Sequence, residues 1–324
     1  MIFRKWMLLA APAIFAGALA ITALIFTNAF AFARQQNDSV MIDWLGSVYR
    51  IGGPCKIKIS TRNEKLSTTI HGSNLIFKCS DGREIKLASS AQETKPKMDS
   101  GMWFIEVEAG ELSEVPAPGK FEVRYKIPDG HLVGPLIGTF VKKIDNPLEQ
   151  LEKTPKPGDY SKVAVLLETS EGPILIGLRP DKAPATVANF VKLTHRSFYD
   201  EKIFHRVKRG FVLQGGGYKK DGTKAESEKI KGEFSDFSHA RGVLSMARLG
   251  NDKDSATCQF FICLTDQKQT LDGQYAAFAK VLEGMDTLDR IAVLPVKFNP
   301  DLRETSSPLK PIIINKAFCV ERPQ

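Results

Sequence analysis

Hydrophobic and polar residues alternate in short runs along most of the chain, and this pattern predicts β-strands rather than long amphipathic helices. Between residues 43 and 144 the runs are separated by turn sequences, among them Ser80-Asp81-Gly82 and Pro128-Asp129-Gly130. A period of two is typical of strands with one buried face, and Asp-Gly steps are typical of hairpins. Residues 43–144 are therefore predicted to form a small all-β, sandwich-like domain, and no motif in them indicates a chemistry.

A polar segment with three prolines and two lysines, residues 145–161, follows this domain and is predicted to be an interdomain linker. The second half, residues 162–321, is again mainly strand-like, with a hairpin predicted around Ser170-Glu171-Gly172. Two helices interrupt the strands. The first begins at Pro184, and the second covers Met285, Leu288 and Ile291. Residues with helical spacing define the apolar face of the first helix: Val187, Phe190, Val191 and His195.

The first 33 residues differ from the rest, because Arg4 and Lys5 precede an uncharged apolar run. Small residues at Ala29, Ala31 and Ala33 suit signal-peptidase cleavage, yet the run also reaches the roughly 20 residues that span a bilayer. Two interpretations stay open: a cleaved signal peptide, or a membrane tether through residues 6–33. Both predict an exported protein, periplasmic or otherwise extracytoplasmic, since the basic N-terminus stays inside.

Charge and cysteine content narrow the classes of function. The chain has 45 Lys+Arg against 37 Asp+Glu, and the basic residues are interleaved with acidic ones, so no nucleic-acid partner is predicted. Cys55 and Cys79 are candidates for a disulfide in an oxidising compartment. Cys258 and Cys263 point to opposite faces of a strand and are predicted not to bridge, and with Cys319 they are predicted core residues. Cysteine and histidine spacing predicts no metal site.

The stretch "IFHRVKRGFVLQGG", Ile203 to Gly216, contains an arginine within an apolar alternation. Strict alternation places Arg206 on the same face as Phe204 and Lys208, with His205 on the other face. A guanidinium on a partly apolar face needs acceptors for its five donors. From this segment alone, a salt-bridged or snorkelling arginine is the favoured interpretation, and a ligand-binding arginine is the alternative.

Four motifs in order change that balance: "FHRVKRGFVLQGG", "HARGVLSMA", "SATCQFFICLT" and "LDGQYAAFAKVLEGMD". In this order and spacing they resemble the cyclophilin family of peptidyl-prolyl cis–trans isomerases, and the resemblance runs from about Lys162 to Glu321. It implies a mainly-β fold: an eight-stranded antiparallel barrel with two capping helices, here preceded by the small all-β domain and the N-terminal hydrophobic helix. It also implies a site on the outer surface of the barrel.

The resemblance implies a role for each matching residue. The catalytic pair is Arg206 and Gln214. Four residues are implied to form the proline pocket: Phe211, Val212, Phe261 and Leu271. Residues implied to hold the substrate backbone are Gln214, Gln259 and the main chain of Ala247 and Arg248. His205 and Tyr275 are implied to line the rim. Without the resemblance, Phe211 and Phe261 would be interpreted as core residues.

This set suits rotation about an X–Pro bond, whose barrier of about 20 kcal/mol comes from amide resonance. A cation that donates to the prolyl nitrogen stabilises the twisted transition state, and no nucleophile or cofactor is needed. Phe211 and Gln214 should face opposite ways in a flat strand, so a bend near Gly210 or Gly215-Gly216 is predicted. The predicted function is an exported isomerase that assists folding of proline-containing polypeptides.

Four features depart from the commonest family pattern. Val212 replaces a usual methionine, and Thr270 stands where many eukaryotic members have tryptophan, which disfavours tight cyclosporin binding. Arg248 and Tyr275 resemble bacterial members, and the loop 218–237 lacks the usual glycine-rich pattern. Two rival functions stay open. One is a proline-peptide binding module whose first domain supplies the main contacts. The other is a membrane-tethered structural component with weak or no isomerase activity.

Overall fold

The computed structural model describes residues 40–44, 48–50, 55–62, 64–67, 70–79, 82–86, 92–99, 102–109, 119–127, 131–144 and 160–323. The predicted export segment and nearly all of the predicted linker lie outside these residues. Among the residues described, no helix combines the length and apolar character needed to cross a bilayer.

The first domain is a sandwich of two sheets. The strands of one sheet are β1 (Met41–Trp44), β3 (Cys55–Thr61), β6 (Gln92–Glu93), β7 (Lys97–Asp99) and β8 (Met102–Ala109). Those of the other are β2 (Val48–Arg50), β4 (Leu75–Cys79), β5 (Glu84–Lys86), β9 (Gly119–Lys126) and β10 (Leu132–Val141). A one-turn helix, α1 (Glu64–Ser67), follows β3. Alternate residues of β9, Phe121, Val123 and Tyr125, are buried between the sheets, which confirms the predicted all-β domain.

The second domain is a closed barrel with the strand order β11-β12-β17-β15-β16-β14-β13-β20. Its strands are β11 (Val163–Thr169), β12 (Gly172–Leu178), β13 (Lys202–Val207), β14 (Val212–Lys219), β15 (Val243–Met246), β16 (Phe260–Cys263), β17 (Ala277–Glu283) and β20 (Ile312–Glu321). Every neighbouring pair is antiparallel. The predicted eight-stranded antiparallel barrel is therefore confirmed.

Two helices cap the barrel, as predicted. They are α2 (Pro184–His195), which packs against β17 and β20, and α4 (Met285–Ala292), which packs against β12. A further one-turn helix, α3 (Lys268–Leu271), precedes β17. Val187, Phe190 and Val191 of α2 are fully buried in the barrel core. The expectation that His195 continues this face is wrong, because α2 ends at that exposed residue and Leu193 is buried instead.

A hairpin that the sequence pattern did not predict follows α4. It consists of β18 (Val296–Asn299) and β19 (Glu304–Pro308), and β19 packs beside β13. The Asn299 side chain closes the turn, since its Oδ1 accepts from the main-chain nitrogens of Asp301 and Leu302 at 3.0 and 3.2 Å. The short strands and the polar turn explain the missed prediction, because "VKFNPDLRETSSP" offers little apolar alternation.

The sandwich rests on the barrel wall formed by β11, β12 and β20. Val141, at the end of β10, is fully buried in a small apolar cluster with barrel residues such as Leu166 and Val320. Beside this cluster, the Arg50 guanidinium lies 4.4 Å from the centre of the Phe318 ring, and its Nε is 3.5 Å from Glu168 Oε1. The main chain of residues 142–144 also bonds to β20. In the eight-stranded barrel, β14 is four strands away from β12, and β16 is four strands away from β11. The sandwich therefore covers the side of the barrel opposite β14 and β16.

The cysteines are placed as follows. Cys258, Cys263 and Cys319 are unbridged and buried, and Cys258 and Cys263 belong to different apolar clusters, as predicted. Cys79 is buried at the end of β4. The side chain of Cys55 lies outside the described residues, so its pairing with Cys79 stays a prediction.

Candidate active site

A β-bulge at His205 determines which way Arg206 points. Phe204 pairs with Gly215 and Arg206 pairs with Gln214, so two steps along β13 match one step along β14. The extra residue reverses the alternation. Phe204 therefore points into the barrel core, while Arg206 lies on the outer surface beside Gln214. The expectation that Arg206 and Phe204 share a face is wrong for this reason.

The turn between β13 and β14 brings Phe211 to the same side as Gln214. Phe211 precedes β14, and its nitrogen donates to the Lys208 carbonyl at 3.0 Å. Gly210 has φ 69°, a conformation that favours glycine. Within β14, Leu213 is buried in the barrel core, whereas Val212 and Gln214 face outward. The bend expected near Gly210 is thus the turn between β13 and β14. The bulge lies at His205 in β13, not in β14.

An apolar cluster lies on the outer surface of β14 and β16, and we call it the apolar pocket because the side chains at its edge are partly exposed. Its buried residues are Val212, Phe261, Cys263 and Leu271, and its partly exposed walls are Phe211, Ala247 and Tyr275. The Tyr275 ring meets the Phe261 ring edge-on at 5.5 Å between centroids. The structure therefore brings together every residue for which a proline-pocket role was implied. Cys263 is an additional pocket residue that the motifs did not single out.

Behind the pocket, His239 and Asp272 support the Phe261 ring. The His239 ring stacks on Phe261 at 6.3 Å, and its Nδ1 lies 2.8 Å from Asp272 Oδ1. A carboxylate only accepts, so Nδ1 carries the proton and Nε2 accepts from the Ser245 hydroxyl at 3.1 Å. Burial lowers the pKa of His239 despite this carboxylate. The chain of contacts fixes Asp272, and with it the neighbouring Leu271 of the pocket.

Arg206 lies at the edge of this pocket with two of its donors occupied. Its Nε donates to Glu304 Oε1 at 2.6 Å, and its Nη1 donates to Gln214 Oε1 at 3.2 Å. The guanidinium carbon is 5.7 Å from the centre of the Phe211 ring. The arginine is thus ion-paired, as the sequence alone favoured. Three of its five N–H donors are not engaged in these two bonds.

Glu304 is a site residue that sequence reasoning missed. It begins β19, its side chain is only 16% exposed, and Lys208 approaches its second oxygen at 3.3 Å. The hydrogen bond from Arg206 lowers the pKa of Glu304 to about 2, so this carboxylate stays ionised at any pH of interest. The sequence did indicate that Arg206 needs a hydrogen-bond acceptor. It did not indicate that the acceptor is Glu304, which lies 98 residues further along the chain.

The two glutamines form a relay along the strands. Gln214 accepts from Arg206, and its Nε2 donates to Gln259 Oε1 at 3.2 Å. Ala247 lies beside them, and its nitrogen donates to the carbonyl of Gln259 at 2.9 Å. Arg248 covers the Tyr275 ring at 4.7 Å, while its guanidinium donates to main-chain carbonyls of Gln274, Leu249 and Gly250. The side chain of Arg248 therefore buttresses the rim.

His205, the bulge residue, lies on the other side of Arg206 from the pocket. Its ring packs edge-on against Tyr218 at 4.7 Å, and its Nδ1 is buried without a hydrogen-bond partner among the described residues. Burial, followed by the charge of Arg206, lowers the pKa of His205 to about 4. His205 is therefore neutral at physiological pH and is placed at the rim.

This shifted pKa predicts a pH-dependent stability. The unfolded chain protonates His205 near pH 6.5, whereas the folded protein does so near pH 4, so protonation favours unfolding between these values. We expect the free energy of unfolding to fall by roughly 2 kcal/mol more between pH 6.5 and pH 4 in the wild type than in His205→Gln. Urea unfolding at several pH values measures this difference. His195→Gln, at an exposed histidine, is the control, and equal losses in all three proteins would contradict the prediction.

Among the described residues, no cluster of three histidine, cysteine or carboxylate side chains is arranged to hold a metal ion. The site consists of an apolar pocket, one arginine held by a carboxylate and a glutamine, and an amide relay. Such a site offers a permanent cation beside an apolar surface that can hold a small ring, and burial raises the pKa of the Cys263 thiol in that surface to about 12.

Comparisons with known proteins agree with this geometry. The family model described as cyclophilin-type peptidyl-prolyl cis-trans isomerase/CLD matches residues 164–318. Peptidyl-prolyl cis-trans isomerase A of Dickeya dadantii is 40% identical over 164 residues, which cover 49% of this chain and 85% of that protein. Peptidyl-prolyl cis-trans isomerase B of Escherichia coli is 42% identical over 136 residues, or 39% of this chain and 82% of that protein.

A solved structure is also similar, the cyclophilin-type isomerase of Cryptosporidium parvum. It matches with 27% identity and a TM-score of 0.43, covering 49% of this chain and 98% of that chain. The family model and the curated relatives match the closed barrel of the second half, which identifies it as an isomerase-type domain. The chain belongs to the cyclophilin-type peptidyl-prolyl cis-trans isomerase family. The matched region is the barrel, and the sandwich lies outside the family match.

Proposed function

We propose that the barrel catalyses rotation about X–Pro bonds at the pocket beside Arg206, with proline-containing polypeptides as substrates. The proline ring enters the apolar pocket formed around Phe261, Val212 and Leu271. The free N–H donors of Arg206 then lie next to the prolyl nitrogen. As the amide twists, that nitrogen becomes pyramidal and its lone pair accepts from the guanidinium, so the interaction is stronger in the transition state than in the planar ground state.

The neighbouring groups hold one side of the bond while the other side rotates. The amides of Gln214 and Gln259, with the main chain at Ala247 and Arg248, bind the substrate backbone in this proposal. His205, which packs on Tyr218, and Tyr275, which packs on Phe261, border the site in this proposal. Val212 leaves more space than the methionine common in relatives, and this change affects the fit of the proline ring.

A single observation carries this proposal: an ion-paired arginine lies over Phe211 at the edge of the apolar pocket, with two glutamines beside it. The test is NMR exchange spectroscopy on a blocked Ala-Ala-Pro-Phe peptide with the full chain at catalytic concentration. We expect exchange in seconds or faster, against tens of seconds or longer without protein. Absence of acceleration would remove the isomerase function and leave the binding-module alternative.

The cellular setting of the activity is also a proposal. The apolar run 6–33 supports export, and Arg248 and Tyr275 support a bacterial-like isomerase that assists folding of proteins outside the cytoplasm. N-terminal sequencing of the mature protein tests this: a start near Phe32 or Arg34 indicates a cleaved signal peptide. Recovery of the full-length chain in membranes indicates a tether, and recovery of the full-length chain in the cytoplasm contradicts export.

The domain boundaries remain part of the proposal, with a sandwich over 43–144, a linker over 145–161 and the isomerase domain over 162–321. The sandwich lies across the barrel from the pocket. A client bound by both domains must therefore extend around the barrel. Deleting residues 43–144 while keeping the barrel soluble tests whether client binding needs the sandwich, and unchanged binding would contradict the binding-module alternative.

A further inference from the structure

A groove of about 760 Å³ extends from the candidate active site away from the apolar pocket. The β18–β19 hairpin forms one wall, and the loop that follows β14 forms another. Its floor includes His205, Gln214 and Gln259, which also border Arg206 or belong to the amide relay. A polypeptide whose proline lies in the pocket therefore has a continuous path into the groove.

Exposed leucines line the groove on two sides. Leu249 is 61% exposed, Leu302 is 47% exposed and Leu309 is 58% exposed. Leu302 is at the tip of the hairpin, and Leu309 follows β19. Isolated exposed leucines need no explanation, but three around one groove offer apolar contacts to a bound chain.

The charged groups around the groove are mainly basic. Lys224 and Lys297 line it from opposite walls, both are exposed, and neither forms an ion pair with any residue that the structure describes. Lys229 also lines the groove but is 3.5 Å from Asp252, and Asp301 is the acidic side chain among the groove residues. Arg248 also lines the groove, and its guanidinium bonds only to main-chain carbonyls. The balance of charge is therefore positive, with three cations that have no carboxylate partner within the described part of the chain.

The backbone holds Lys224 and Lys297 in place. Lys297 pairs with Ser307 across the hairpin, and Lys224 forms a β-bridge with Tyr218. The Tyr218 ring in turn packs against His205 at the floor. Lys224 and Lys297 are thus attached to elements that contact the site, and they flank any chain that leaves it through the groove.

We propose that this groove selects the substrate: it binds the segment beside the proline and favours segments that carry acidic residues together with apolar ones. The inference rests on the proposed function of the site. The occupant is a polypeptide substrate because the groove is continuous with the pocket, and its acidic character follows from charge complementarity with Lys224 and Lys297.

The test uses three blocked peptides of eight residues with a central Ala-Pro. On each side of Ala-Pro, every peptide carries one leucine and two further residues. These two residues are glutamates in the first peptide, glutamines in the second and lysines in the third. NMR exchange spectroscopy measures kcat/KM, and titration measures Kd. With the wild-type full chain at low salt, we expect the glutamate peptide to exceed the lysine peptide roughly tenfold in both kcat/KM and affinity. In 1 M salt the ratio should fall below about twofold.

The charge-reversed variant Lys224→Glu/Lys297→Glu is expected to invert the order of the peptides. The control Lys162→Glu/Lys280→Glu changes the net charge equally at exposed residues away from the groove, and we expect it to keep the wild-type order. The proposal would be overturned if the wild type showed the same kcat/KM and Kd for all three peptides. It would also be overturned if both double variants changed the order of the peptides in the same way. The blocked tetrapeptide separates the two claims: if it is not accelerated, the isomerase function fails, and the ranking of Kd values still decides the groove.

Discussion

Replacing Arg206 with alanine is expected to lower kcat/KM for an X–Pro peptide by about 10²- to 10³-fold, the cost of losing one preorganised transition-state donor. The pocket residues Phe261 and Leu271 are buried against Val212 and Cys263, so peptide affinity should change much less, by less than about fivefold. Arg206→Lys keeps the charge but loses the planar fork that bonds Glu304 and Gln214 together. We expect it to be intermediate.

Protease-free NMR exchange gives kcat/KM and titration gives Kd for each variant, and thermal unfolding verifies that each is folded. Arg196→Ala, at an exposed arginine that follows α2, is the matched control and should retain wild-type activity. If Arg206→Ala stays within threefold of the wild type, the arginine is a structural ion pair and the assigned mechanism is wrong. If affinity falls as much as kcat/KM, Arg206 acts in ground-state binding.

The strands and the two capping helices were predictable because alternation and helical spacing are local properties. Phe260 and Phe261 show this: consecutive residues of β16 occupy opposite sides of the barrel wall, one in the core and one in the pocket. The order of motifs then related these local patterns to a closed barrel. Pairing between β11 and β20 spans most of that domain and was not readable from spacing alone.

What the alternation could not predict is the direction of Arg206. A bulge is a mismatch between two paired strands, and whether His205 is the extra residue depends on its pairing with β14. The motif resemblance implied that Arg206 and Gln214 act together, and the structure has them side by side, while strict alternation implied the wrong face. Glu304 was missed for a related reason, because its hairpin is short and polar and only the folded barrel brings it to β13.

The position of the sandwich bears on the unassigned half of the chain. Its contact with the barrel includes the buried Val141 and the contacts of Arg50 with Glu168 and Phe318. Burial is the largest effect on Glu168 and raises its pKa despite the nearby Arg50. Barrel residues such as Leu166 would be exposed without the sandwich, so removing the sandwich is expected to lower the solubility of the barrel. A deletion experiment must therefore distinguish lower solubility from lost client binding.

Glu304→Ala is expected to lower kcat about 30-fold with less than a threefold change in KM, because Glu304 positions Arg206 and lies apart from the apolar pocket. Without its carboxylate, the guanidinium loses the bond to Nε and keeps only Gln214, so it samples orientations that miss the prolyl nitrogen. Glu304→Gln retains an acceptor oxygen at the same place, and we expect it to recover activity to within about fivefold of the wild type.

This rescue distinguishes positioning from electrostatics. If the negative charge of Glu304 were itself required, kcat of Glu304→Gln would be as low as that of Glu304→Ala. If the charge only weakened the interaction of Arg206 with the substrate, kcat of both variants would be higher than that of the wild type. Thr305→Ala, at the exposed next residue of β19, controls for disturbance of the hairpin. The same series tests why an unpredicted hairpin belongs to the site: the barrel sheet supplies Arg206 with a neutral acceptor, Gln214, and β19 supplies the carboxylate.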